Sequence, residues 1–168
     1  MVLLHAVALI HGEGVRRLLR GFPRSKEAGV LLLTAAAGWA FALVAQIDLG
    51  EFSSSRTIFM GIIAAGWLLT LFFVEEFLAV RALGMLLLLA AEPLLEAAFL
   101  RPETSRLLLT ALAYVWATLG LFWVGKPYLL RDQIAWISKS EIRWRIAALG
   151  GLAYGAVLVF VAWTQYGA

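Results

Sequence analysis

The chain contains no cysteine. That excludes disulfides, cysteine-ligated zinc, iron–sulfur clusters and a thiol nucleophile. Only two histidines are present, His5 and His11, and both lie near the N-terminal edge. They are six apart, not at the i, i+4 spacing of a helical metal pair, so no haem or metal ligation is assigned to them. Charged residues make up only 15% of the 168 positions. No stretch between the apolar runs is long enough for a separate soluble domain, so a single domain over 1–168 is expected. No motif names a substrate or a cofactor, and no cofactor is expected.

What fills the chain instead is apolar sequence: 62% of the residues are hydrophobic and the mean hydropathy is +0.88. Five runs stand out, at about 28–46, 57–74, 82–100, 107–125 and 146–164. Each is close to the roughly 20 residues that cross about 30 Å of hydrocarbon as a helix. None alternates with period two, as barrel strands would, and backbone groups in lipid must pair within their own segment. The expected fold class is therefore all-α: a polytopic integral membrane protein, a bundle of about five transmembrane helices. The second and third runs are separated only by VEEFLAVR. Glu75, Glu76 and Arg81 would sit mid-rod in one continuous helix, so a tight turn at the membrane surface is expected there.

Two amphipathic helices are expected at the membrane interface. Over 1–24, Leu4, Ala8, His11, Val15, Leu18 and Phe22 recur at three- and four-residue steps, and Pro23 ends the helix. Arg16, Arg17 and Arg20 follow the apolar part, the reverse of a signal peptide. Over about 127–137, Pro127 opens a helix with an apolar stripe of Leu130, Ile134 and Ile137. Ser138 and Glu141 then fit a capping box for the last span.

Of the 14 Lys and Arg residues, eleven fall on one side of this topology: Arg16, Arg17, Arg20, Arg24, Lys26, Arg81, Lys126, Arg131, Lys139, Arg143 and Arg145. Arg56, Arg101 and Arg106 fall on the other. The positive-inside rule then places the N-terminus on the cytoplasmic side and the C-terminus opposite. The pI of about 9.6 fits anionic lipid headgroups and implies no nucleic acid partner.

One polar constellation falls inside a span. Glu92 and Glu96 share a helix face, and Glu92 lies roughly 16 Å beyond Arg81. Pro93 removes an N–H, which frees the carbonyl of Leu89 on the same face. Thr110, Tyr114 and Thr118 form a polar stripe on the next span, with Tyr114 roughly 12 Å beyond Arg106. An oxygen-only set of this kind suits a proton or a hard cation. The alternatives are a carboxyl pair that hydrogen-bonds across helices, or a contact with another subunit. Glu75, Glu76 and Arg81 form a second candidate cluster, for docking or for a local ion pair. Small-residue pairs mark packing faces: Gly38 with Ala42, Gly61 with Ala65, and Gly151 with Gly155.

The outline of five spans and seven tryptophans resembles the tryptophan-rich sensory (translocator) family, but IDLGEFSSSR at 47–56 lacks that family's Pro/Trp-rich loop. The run from Glu75 to Arg81 is similar to the Glu-Glu-x-x-x-Arg motif of CAAX-type intramembrane proteases, with one residue too many and no histidine in the spans. Neither family is assigned. The expected function is that of a non-catalytic accessory or assembly subunit, with the bilayer and other membrane subunits, or further copies of itself, as partners. The alternative is a small proton- or cation-coupled carrier on the Glu92/Glu96 face, acting as an oligomer. A lipid-modifying enzyme ranks last, since no nucleophile–base pair is present, and the chain is read as not an enzyme.

Overall fold

A computed structural model describes residues 1–74 and 76–165. It is all-α, with eight α-helices among the described residues. They are α1 (Val2–Ile10), α2 (Gly12–Gly21), α3 (Lys26–Gln46), α4 (Arg56–Phe73), α5 (Leu78–Ala98), α6 (Arg106–Gly125), α7 (Tyr128–Ser138) and α8 (Glu141–Gln165). Short 3₁₀ turns at Phe22–Arg24 and Gly50–Ser55 precede α3 and α4. Helices α3, α4, α5, α6 and α8 are long and apolar enough to cross a membrane.

The helix ends explain where each run begins and stops. Ser25 caps α3, its Oγ accepting from the Ala28 amide at 3.2 Å. At the other end of α3 the Arg56 guanidinium donates to the carbonyls of Ala45 and Ile47. Arg81 donates to the Val124 carbonyl at 2.6 Å in the last turn of α6. Arg20 donates to the Ser138 carbonyl at 3.0 Å at the end of α7. Each arginine supplies donors and positive charge where a helix presents unpaired carbonyls and a negative dipole end.

Helix α5 is central and packs on α6 and α3. Its seam with α6 is a backbone-to-backbone approach at Gly84 and Gly120. A Cβ on Gly84 would meet the Gly120 carbonyl oxygen at 2.8 Å, and one on Gly120 would meet that of Gly84 at 2.7 Å. Where α3 meets α5, a Cβ on Gly29 would lie 2.8 Å from the Ala79 amide. Helix α4 packs mainly on α3 and contains no buried residue. Helix α8 packs on α1 and α7, and Tyr154 ties it to α6 by donating to the Leu108 carbonyl at 2.6 Å.

Helix α2, the Phe22–Arg24 turn, α7, the starts of α3, α5 and α8 and the end of α6 gather at one end of the bundle. This end carries the eleven basic residues named above and is called the basic end below.

Four local expectations change. Residues 1–22 are not one helix: the chain breaks at His11 (φ −112°, ψ 42°). Leu4, His11 and Leu18 of the expected stripe are exposed; on α1 it is Val2 and His5 that face α8. Helix α5 begins at Leu78, four residues early, after Phe77 in the left-handed region (φ 55°). Helix α8 begins at Glu141, five residues early. The Ser138–Glu141 capping box does not form, since α7 runs on through Ser138 and the Glu141 carboxylate is taken by arginines.

Candidate functional site

The carboxylates of α5 sit on a row that starts at the basic end. Leu78, Ala82, Met85, Leu89, Glu92 and Glu96 follow each other at four- and three-residue steps, so they share one face. Leu78 and Ala82 are buried with Leu33 of α3, with Trp67 and Leu71 of α4 and Met85 packed around them. Met85 and Leu89 are half-buried, and Glu92 and Glu96 are exposed. Packing against α3 and α4 thus fades along the row and ends before the two glutamates. A cavity of about 390 Å³ lies in this loosening wedge, bounded by Ala36 and Ala40 of α3, Trp67 and Thr70 of α4, and Leu89. Because α5 starts at Leu78, Glu92 lies about 21 Å along a helix of roughly 30 Å, in its far third.

The structure does not bring the polar stripe of α6 to these carboxylates. Thr110 Oγ1 donates back to the Arg106 carbonyl at 3.1 Å. Tyr114 is 63% exposed, and Thr118 is exposed as well. Among the described residues, neither Glu92 nor Glu96 has a hydrogen-bond or ion-pair partner. Helix α5 continues through Pro93. Of the second cluster, Glu75 lies outside the described residues, Glu76 is exposed, and Arg81 caps α6.

The three small-residue pairs differ. Gly38 and Gly61 have nothing within 4 Å of where a Cβ would be. Gly151 and Gly155 receive α1. A Cβ on Gly151 would collide with the His5 ring, and one on Gly155 would lie 3.0 Å from Val2 Cγ2. Helix α1 therefore runs antiparallel along α8, reaching the level of Gly155, about 21 Å from the start of α8.

Sequence reasoning missed the corner where α1, α2, α7 and α8 meet. Arg16, only 9% exposed, contacts Glu141 of α8 and lies 3.4 Å from Glu13. Its guanidinium is 5.0 Å from the Trp144 ring centroid. Arg145 completes the group, 2.9 Å from the other Glu141 oxygen. Trp144 Nε1 donates to the Ala8 carbonyl at 2.9 Å. Arg16 and Arg145 share the Glu141 carboxylate, one on each oxygen, and the apolar stem of Arg16 and the ring of Trp144 fill the junction. Beside this lock is a cavity of about 330 Å³, lined by apolar side chains of all four helices together with His5, Ser138 and Trp144. The long-range pairs have no local signal, since Arg16 and Glu141 are 125 positions apart.

Among the described residues, no group of three or more His, Asp or Glu side chains could hold a metal ion. No known protein family, curated protein or solved structure matches this chain.

Proposed function

We propose that the chain is a polytopic integral membrane protein that serves as a non-catalytic accessory subunit, covered by another membrane protein along the far part of α5. The observation that carries this reading is the fate of the α5 row. Its last two rungs are glutamates, left outside the packing of the single chain. An acidic side chain facing lipid costs roughly 2.5–3.5 kcal/mol at a helix centre and less towards the end, where Glu92 and Glu96 lie, and such groups normally face a protein interior or a wet cavity. Supplying the missing neighbour from another subunit removes that cost. The uncovered Gly38 and Gly61 faces are also suited to a close helix approach.

In this reading α3, α4, α5, α6 and α8 span the bilayer. The basic end faces the cytoplasm by the positive-inside rule, and the far end of α8 lies on the opposite side. Helices α2 and α7 lie at the cytoplasmic interface. Helix α1 enters the bilayer from there along Gly151 and Gly155.

The carrier reading draws on the same carboxylates. In a single chain they line no enclosed path, so it requires an oligomer that closes around them. Mild-detergent purification with mass spectrometry separates the two. The subunit reading expects a different membrane protein at stoichiometric level, with its recovery reduced in Glu92→Gln/Glu96→Gln. A pure homo-oligomer with cation-dependent flux in liposomes, abolished by Glu92→Gln, would replace it.

A further inference from the structure

The outer side of α8 is apolar and uncovered. Ile142, Ile146, Leu149 and Ala153 are all exposed and recur at four- and three-residue steps, so they form one stripe. It lies opposite the row of Trp144, Ala148, Gly151 and Gly155, which faces α1.

Arg143 and Arg145 flank the head of this stripe. Arg145 is paired with Glu141 at 2.9 Å. Arg143 has no carboxylate partner among the described residues. Its guanidinium lies 4.5 Å from the Trp136 ring centroid, and its Nη1 is 3.4 Å from the Trp136 carbonyl oxygen. These contacts position the side chain and leave most of a guanidinium's five N–H donors free. Trp136 is 58% exposed at the end of α7, the headgroup level that interfacial tryptophans favour. Lys139, four residues before Arg143, is exposed and also lacks a carboxylate partner among the described residues. Of the eleven basic side chains at this end, the described ion pairs take only Arg16, Arg131 and Arg145.

We infer that the start of α8 holds an anionic phospholipid of the cytoplasmic leaflet, its phosphate on Arg143 and Lys139 and an acyl chain along Ile142, Ile146 and Leu149. A guanidinium fork matches two phosphate oxygens, and the contact with Trp136 keeps that fork oriented. Charge selects the occupant. A zwitterionic head brings its own cation to a surface where unpaired positive charge is in excess; an anionic head does not. A soluble anion would meet the cations but leave Ile142 and Ile146 bare. The inference rests on the membrane placement proposed above and not on the accessory role.

The test uses the full chain in phosphatidylcholine nanodiscs. The probe is a trace of phosphatidylglycerol with a diazirine near the carbonyl end of one chain, and the labelled peptides are read by mass spectrometry. Saturable labelling is expected to concentrate in residues 142–149, with unlabelled phosphatidylglycerol competing. The matched phosphatidylcholine probe should label the long helices evenly. Arg143→Gln should weaken competition about fivefold and Lys139→Gln/Arg143→Gln about 25-fold, at about fivefold per basic side chain near an anionic headgroup. Unchanged thermal unfolding would show that both variants fold. Arg106→Gln, at the far end, should change nothing. Even labelling of all five long helices by both probes would overturn the site while leaving the membrane placement standing. So would a phosphatidylglycerol preference indifferent to Arg143 and Lys139, or displacement of the probe by inorganic phosphate. Labelling elsewhere that spares residues 142–149 would mean that protein, a second copy included, covers the stripe, and would overturn it too.

Discussion

Arg20, Arg56 and Arg81 each place a guanidinium on the terminal carbonyls of a neighbouring helix. In the sequence they register only as charge at the ends of apolar runs. In the structure they also finish helices that have no glycine cap. The closest packing is likewise set by single residues. Gly84 and Gly120 meet backbone to backbone, so Gly84→Ala or Gly120→Ala should cost about 1–3 kcal/mol by overpacking, seen as a lower unfolding midpoint in detergent. Gly38→Ala and Gly61→Ala, with open space around them, should leave that midpoint unchanged or raise it. Equal losses at all four positions would contradict the seam. The Gly151/Gly155 pair was visible in the sequence because its two glycines are four apart. Gly84 and Gly120 were not: their neighbours at four-residue spacing are Val80, Leu88, Trp116 and Val124. The small residue each one needs lies on the other helix.

At the scale of elements, the five long helices were legible because an apolar run near 20 residues has few other solutions. Their starts were less so. Glu141, Arg143 and Arg145 look like a loop on a hydropathy basis, yet they form the first turns of α8, held by pairing with Arg16 and with Trp136. Residues 1–22 contain no proline, but Gly12 and Gly14 directly follow the break at His11 and weaken a helix there; the groove that Gly151 and Gly155 open then receives α1. The Arg16 lock fixes α2 across that groove. Arg16→Met should therefore speed amide hydrogen exchange several-fold in residues 2–21 and leave α5 and α6 as protected as before. Unchanged exchange in α1 and α2 would show that the glycine groove holds them without the lock. By the same reasoning α4, with no buried residue, should exchange fastest of the long helices once lipid is removed.

For the whole molecule, sequence placed the two candidate carboxylates on one face of a span but did not show what faces them. Hydropathy orders residues along a span; which rungs of the α5 row are covered depends on how far α3 and α4 stay in contact with it, and that is set near the basic end by Gly29 and Leu78. The absence of cysteine makes sidedness simple to measure. A membrane-impermeant maleimide on intact cells should label Ser53→Cys, in the turn before α4, and should reach Lys139→Cys only after permeabilisation. The reverse pattern would invert the orientation. The covered face is tested most directly by a photo-crosslinking amino acid at Leu95, exposed between Glu92 and Glu96, with Trp163 as a comparison site and irradiation in the native membrane. A discrete crosslinked protein at Leu95, lost in Glu92→Gln/Glu96→Gln, is the expected result. Crosslinks to lipid alone at both positions would mean that the two glutamates face the bilayer uncovered, and the accessory-subunit reading would fall.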